Sequence, residues 1–403
     1  MTEIYVPDKL LFVIDALAEK GFEGYLVGGC VRDRVMGKTP NDYDVTTSSL
    51  PEETKEVFKN HRVIETGIKH GTVTVLVEDE PIEITTFRID GEYKDNRHPE
   101  SVSFTRDIES DLARRDFTVN AMAYNPRLGF VDPFDGTGDI KRKLIRCVGN
   151  PDKRFNEDGL RILRGLRFAS TLGFDIEKDT SDSIKKNAAL LKGIAGERIY
   201  TELKKLLCGC NAEHILKEYT DVLEVFAKGV ESEKTAEIVG RVNCDVTTRL
   251  AAWLSSCGAD AADEVMMSLK SDRKTREDVV ALVEMLALPH CADRFFVKRM
   301  YARYGKEFCK SYASIAKVID GDFDTDAFLS ELKSFIENDV CIKITQLDIN
   351  GKELSELGVP SGRETGRILS KLYELVFMEK VPNRKDLLVE YAKKFIGNGG
   401  EEP

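Results

Sequence analysis

The feature that most constrains this 403-residue chain is the stretch Gly24-Tyr25-Leu26-Val27-Gly28-Gly29-Cys30-Val31-Arg32-Asp33, closely followed by Asn41-Asp42-Tyr43-Asp44-Val45. Tyr25 to Val27 is a short apolar run that predicts a buried strand. Gly28-Gly29 breaks it, and Cys30 to Met36 has helical spacing that stops at Gly37. Asp42 and Asp44 lie two residues apart. On a strand such residues point to the same face, so the spacing predicts both carboxylates in front of the helix that the glycines open. Mg²⁺ takes carboxylate and phosphate oxygens and keeps part of its water. Two such ions about 4 Å apart can activate an attacking hydroxyl and stabilise a leaving pyrophosphate. Gly28 and Gly29 allow backbone to approach phosphate at a helix N-terminus, and Arg32 adds a permanent cation. A D-x-D alone is common in solvated turns. The order glycine pair, arginine, D-x-D is what points to nucleotide chemistry.

Further along, Leu10 to Glu19 reads as an amphipathic helix, and Ser49 reads as the N-cap of a helix with Pro51 in its first turn. Thr72–Val77 and Ile82–Phe87 alternate like strands around a turn at Glu78-Asp79-Glu80-Pro81. Glu83 on the second strand is either a third carboxylate facing Asp42 and Asp44 or an exposed strand glutamate. Arg88 to Asp107 is polar and aperiodic and reads as a mobile loop. In Asp-Leu-Ala-Arg-Arg-Asp-Phe-Thr-Val-Asn-Ala-Met-Ala (111–123), Arg115 and Asp116 could clamp a triphosphate oxygen and a ribose, or form a surface salt bridge.

Glu157 to Phe168 reads as one helix with Leu160, Leu163, Leu166 and Phe168 on its apolar stripe. Asp158, Arg161, Arg164 and Arg167 recur every third residue on the polar face. Three cations there, without matching anions, require an anionic partner. Asp is an acceptor and Arg a donor. Cytosine and adenine each offer an amino donor beside a ring-nitrogen acceptor, whereas uracil and guanine reverse that order. A fixed Asp158–Arg161 pair therefore suits C and A and leaves buried groups unpaired with U and G. The competing reading is an ion pair on a solvated helix.

G-G-C-V-R-D followed by N-D-Y-D-V-T resembles the head of the class II nucleotidyltransferases, which include CCA-adding tRNA enzymes and bacterial poly(A) polymerases. That resemblance implies a polymerase-beta-like palm and metal-dependent nucleotidyl transfer. F-R-I-D-G-E-Y-K-D-N-R-H-P resembles the family's flexible loop, associated with the switch to ATP for the last addition. R-R-D-F-T-V-N-A-M-A resembles the ribose motif, which implies that Arg115 contacts the nucleotide and Asp116 selects a ribonucleotide. E-D-G-L-R resembles the base-reading motif, with Arg164 and Arg167 as further nucleotide contacts. Glu197 to Leu203 resembles a motif that supports the neck helices. The segment from Asp348 to Lys385 resembles the tail of bacterial-type CCA-adding enzymes. No His-Asp dipeptide occurs, which argues against an appended H…HD…D phosphohydrolase domain.

The expected fold class is α+β: a mixed α/β nucleotidyltransferase head (1–139) followed by an elongated all-helical neck (140–207), body (208–340) and tail (341–403). The expected reaction is template-independent addition of C, C and A to a tRNA 3′ end from CTP and ATP, with Mg²⁺ as cofactor. Asp42 and Asp44 are the expected metal ligands and, with Glu83, the catalytic carboxylates. Gly28, Gly29, Arg32, Arg115, Asp116, Asp158, Arg161, Arg164 and Arg167 are the expected nucleotide contacts. Alternatives are a poly(A) polymerase, an A-only or C-C-only enzyme, and a non-catalytic RNA-binding protein. The basic G-[RK]-[RK]-F motif typical of poly(A) polymerases is absent from the interval before R-R-D.

The formal net charge of −11 disfavours indiscriminate nucleic-acid binding and requires any RNA contact to be concentrated locally. Between Pro360 and Phe395 eight Lys/Arg stand against five acids, which fits RNA-backbone contact as well as solvated helices. The N-terminal residues carry no signal-peptide pattern, and no apolar run nears the ~20 residues of a membrane span. Nine cysteines without framework spacing suit free thiols in a reducing cytoplasm. Cys208-Gly209-Cys210 lacks the second pair a structural zinc needs. Oligomeric state is not legible.

Overall fold

A computed structural model of the chain describes residues 4–65, 67–91 and 101–397. It divides into two compact units, Met1–Gly240 with Asp263–Asp272, and Arg241–Ala262 with Arg273–Pro403.

The first unit opens with α1 (Asp8–Glu19), whose Leu10, Val13, Ile14 and Leu17 form a buried stripe at helical spacing. There follow β1 (Gly24–Val27), α2 (Gly29–Val35), β2 (Asp44–Thr47), α3 (Pro51–Val57), β3 (Val63–Ile64), β4 (Thr72–Val77) and β5 (Glu80–Thr86). Next come β6 (Arg88–Asp90), β7 (Val102–Phe104), α4 (Ile108–Ala113), β8 (Ala123–Asn125), β9 (Gly129–Val131) and α5 (Gly136–Arg142). Seven strands make one mixed sheet in the order β3-β4-β5-β2-β1-β8-β9. β2 runs parallel to β5 and antiparallel to β1. Strand alternation splits the core between two faces. Leu26, Val45, Val73, Val75, Ile82 and Ile84 pack with the α1 stripe. Tyr25 and Val27 point the other way, onto Phe87, Ile108 and Leu112.

Three local expectations change. The turn between β4 and β5 is only Glu78-Asp79, both at positive φ, and Val77 pairs with Glu80. A two-residue turn of that hand matches the twist of its strands, so Glu80 and Pro81 belong to β5. Leu50, not Ser49, precedes α3. The Ser49 hydroxyl is taken up by Thr47 and Thr54, and Glu53 accepts the Leu50 N–H at 2.7 Å. The stretch 88–107 is not a free loop at its base. β6 and β7 pair antiparallel from Arg88↔Phe104 to Asp90↔Val102, because backbone bonds rather than side-chain period hold the ribbon. The remainder of the expected flexible loop, residues 92–100, lies outside the described residues.

The helical part of this unit contains α6 (Pro151–Glu157), α7 (Leu160–Leu172), α8 (Lys178–Asn187) and α9 (Gly196–Leu207). It is not purely helical, since β10 (Leu144–Ile145) and β11 (Asp175–Ile176) pair in parallel. α7 and α9 pack through Ile162, Leu163, Leu166, Ile199, Leu203 and Leu206, all buried. The second unit is helical, with Trp253 fully buried in its core. Its last helices, Arg363–Phe377 and Lys385–Gly397, share a cluster around Leu354, Ile368, Leu372 and Leu388. Of the cations there, Arg367 pairs with Glu364, Arg384 with Asp386, Lys385 with Glu353 and Lys394 with Glu390. Among the described residues no helix is long and apolar enough to cross a membrane.

Candidate active site

Asp44 is the first residue of β2 and is registered against Val27 of β1 and Glu83 of β5. Registered neighbours share a sheet face, so Asp44 and Glu83 point the same way. Asp42 lies before the strand, so strand geometry is not what joins it to Asp44. Both line a cavity of about 370 Å³, together with Asn41, Glu83 and Lys9. The Asp44 carboxyl is pushed above its ordinary range by desolvation and then by the Asp42 charge. Arg115 opposes that push and Glu83 adds to it. The residue keeps an exposed side, so water tempers the desolvation and the like-charge repulsion is the share a cation would relieve. Among the described residues no three His, Cys, Asp or Glu are arranged to hold a metal ion. Asp42 and Asp44 are thus a two-carboxylate set, suited to an ion that takes its other oxygens from phosphate and water.

On the β1 side, Gly28 has φ +78° and starts the turn into α2. Its N–H donates to the Met122 carbonyl at 3.2 Å, and its own carbonyl accepts the Arg32 N–H at 3.1 Å. A Cβ there would stand 3.2 Å from Arg115 Nη1, so the glycine makes room for the guanidinium. Burial pushes the Arg115 pKa down. The side chain is held to Asp111 at 3.3 Å, and its Nε has no hydrogen-bond partner among the described residues. A half-buried cation with an unfilled donor has room for a further anionic partner. Arg32 is not a free cation: Nε and Nη2 donate to Asp33 at 2.9 and 2.8 Å, and Nη1 donates to Asn120 at 2.7 Å.

Asp116 is 8% exposed and accepts from Arg164 Nε at 2.8 Å and from the Phe117 N–H at 2.9 Å. Burial alone would raise its pKa, but the Arg164 and Arg161 guanidiniums outweigh that and hold it at about 2.

The polar face expected for Glu157–Phe168 is rearranged. Asp158 sits between α6 and α7 in extended backbone, φ −142° and ψ 107°, because Gly159 breaks the helix to pass close to Leu190. Its Oδ1 accepts the Leu160 N–H at 3.0 Å and its Oδ2 accepts Arg198 Nη2 at 2.9 Å. Arg161 donates instead to Glu157 at 2.6 Å and to the Arg114 carbonyl at 3.3 Å. The three cations also have anions, which come from other elements. Arg164 pairs with Asp116, and Arg167 donates to Glu202 of α9 at 2.7 Å. The Phe168 ring is flanked by the guanidiniums of Arg167 at 3.6 Å and of Arg32 and Arg164 at 5.4 Å each. Asn120, Glu157, Arg198 and Glu202 were not singled out from sequence. The i,i+4 spacing of Arg198 and Glu202 in a segment read as structural support was the available signal.

Three family profiles match along the chain: "Poly A polymerase head domain" over 24–146, "Probable RNA and SrmB- binding site of polymerase A" over 173–226, and tRNA nucleotidyltransferase domain 2 over 245–392. A CCA-adding enzyme of Ligilactobacillus salivarius is 36% identical, covering 97% of this chain and 98% of the relative. The chain belongs to the CCA-adding enzyme family. A second CCA-adding enzyme, from Leuconostoc mesenteroides, is 35% identical over 96% of both chains. The crystal structure of the Bacillus stearothermophilus CCA-adding enzyme in complex with CTP is 30% identical with a TM-score of 0.82, covering 97% of this chain and 98% of that one. The polymerase-beta-like head with helical neck, body and tail is thus the fold of this chain, and CCA-adding enzymes are nucleotidyltransferases.

Proposed function

We propose that this chain adds C, C and A, without a nucleic-acid template, to the 3′ end of tRNA from CTP and ATP. The observation that carries the reading is the sheet order β5-β2-β1. The Asp42–Asp44 pair has Glu83 and the cavity on its β5 flank and the Gly28 turn with Arg115 and Arg32 on its β1 flank. Nucleotidyl transfer needs acids at the reacting phosphate between a primer on one side and a departing pyrophosphate on the other. The names of the relatives support C-C-A addition over the poly(A) and partial-addition alternatives. The CTP in the Bacillus stearothermophilus complex and the tRNA named in the third profile support the substrates.

In this reading Asp42 and Asp44 hold Mg²⁺, which when bound polarises phosphate oxygens and activates the attacking hydroxyl. Glu83 adds its charge to the same acidic group. Gly28 and Gly29 admit the triphosphate against backbone, and Arg32 and Arg115 hold it. Asp116 accepts from the ribose. Asp158 accepts from the exocyclic amino group of C or A, and Arg161 donates to the neighbouring ring nitrogen. Arg164 and Arg167 add nucleotide contacts. Residues 1–139 serve as head, 140–207 as base-reading neck, 208–340 as body and 341–403 as tRNA-binding tail. The nine free thiols suit a reducing cytoplasm. The test is incubation with tRNAs lacking the whole C-C-A, its last two nucleotides or the final A, each with single nucleotides. Completion of all three ends, with no extension past A, is expected. Extended adenylation, or addition of only C-C or only A, refutes the reading.

A further inference from the structure

We infer that Arg198 is a specificity-positioning residue: through its bond to Asp158 it sets the choice of C and A over U and G. This rests on the reading of Asp158 as the base acceptor. Asp158 lies off the helices, in the extended break before α7, so helix geometry does not fix its side chain. Among the described residues two bonds hold the carboxylate: Leu160 N–H at Oδ1, 3.0 Å, and Arg198 Nη2 at Oδ2, 2.9 Å. A carboxylate has about four lone-pair sites, so these two bonds orient it and leave capacity for an amino donor. Arg161, the neighbour on α7, donates to Glu157 at 2.6 Å and to the Arg154 and Arg114 carbonyls at 3.2 and 3.3 Å.

Arg198 is itself set in place. It stands on the first turns of α9, whose Ile199, Leu203 and Leu206 are buried against α7. Four residues on, Glu202 accepts from Arg167 at 2.7 Å. Residues four apart share a helix face, so one face of α9 carries a cation for Asp158 and an anion for Arg167. An amino group is told from a carbonyl only while the acceptor stays aimed at it. A carboxylate free to rotate lets water satisfy the wrong base and weakens the right one.

The assay measures CTP against UTP incorporation on tRNA lacking its C-C-A end. Both rates come from one preparation, so the ratio is independent of the folded fraction. Arg198→Ala is expected to lower the ratio about tenfold, the effect of one charge-assisted hydrogen bond. Arg198→Lys, which keeps the charge and a donor, is expected to stay within roughly threefold of the parent. In an Asp158→Ala background, Arg198→Ala should lower the ratio no further, because the effect runs through Asp158. An additional loss in that background refutes the positioning role. So does an unchanged ratio in Arg198→Ala while Asp158→Ala alone lowers it, and base reading by Asp158 then stands. An unchanged ratio in Asp158→Ala removes the base reading, and the positioning role with it.

Discussion

Gly28→Ala and Gly29→Ala should behave oppositely, although the two glycines are adjacent in sequence. Gly28 has φ +78° and ψ −130°, a conformation nearly confined to glycine, and side chains forced into such regions cost about 1–3 kcal/mol. The added Cβ would also stand 3.2 Å from Arg115 Nη1, so the guanidinium must give way by a few tenths of an ångström. Gly29 is the first residue of α2, with Arg32 Nη2 at an ordinary 3.7 Å from its would-be Cβ. Alanine there gains up to about 1 kcal/mol of helix propensity. Thermal unfolding should show Gly28→Ala melting several degrees lower, at about 2–4 °C per kcal/mol for a unit of this size. Gly29→Ala should melt at or slightly above the parent temperature. Steady-state CTP addition by Gly28→Ala should show a raised KM as Arg115 moves. Equal stability of the two variants, or a Gly28→Ala protein with unaltered KM, refutes the assignment of Gly28 as the residue that seats Arg115.

Asp42→Ala and Asp44→Ala should each abolish nucleotide addition while tRNA binding, followed by gel shift, largely survives. Mg²⁺-dependent turnover in either variant rules out the two-carboxylate site. Asp116 drops from an ordinary 3.8 to about 2 on folding. A depressed carboxylate stabilises the fold above its unfolded pKa and loses that contribution as pH falls through the folded one. At about 1.4 kcal/mol per unit, Asp116→Asn should cost roughly 2–3 kcal/mol at pH 7 in urea unfolding, with about half of that gap gone by pH 3. A gap that does not narrow with acid contradicts the Asp116–Arg164 pairing. Shortening the segment between Gly91 and Ser101 should leave C-C addition and impair the final A, read with tRNA substrates ending before and after C-C. Equal loss of all three additions means the segment only completes the ribbon.

What the sequence revealed about the site depended on how far apart its partners lie. The glycine turn and the strands around Glu83 are set by short-range patterns, so they were legible, and the resemblance tied them to a fold; the D-x-D was legible as a pair but not as two residues of one strand, since β2 begins only at Asp44. The pairing of the arginines was not. Arg164 meets Asp116 across 48 residues, Arg167 meets Glu202 across 35 and Arg32 meets Asn120 across 88. A helical period read within one segment cannot register an anion supplied by another, so the polar face of α7 looked uncompensated. Asp158 was placed on that helix because periodicity ran through Gly159, whose absent Cβ permits the break beside Leu190. The ribbon at Arg88–Asp90 and Val102–Phe104 escaped notice because three-residue strands leave almost no alternation to read.

The cationic wall around Phe168 carries its own counterions: Asp33 on Arg32, Asp116 on Arg164 and Glu202 on Arg167. Seen from a distance, such a wall is close to neutral, within a protein whose formal charge is −11. It exerts little long-range pull on a triphosphate, and the overall field repels polyanions at low salt. On the proposed reading, in which these arginines contact the nucleotide, entry would be an exchange of partners at contact, each arginine trading a carboxylate for a phosphate or base. Raising ionic strength should speed nucleotide association at first, by screening the repulsion, rather than slow it as in a site built on bare positive charge.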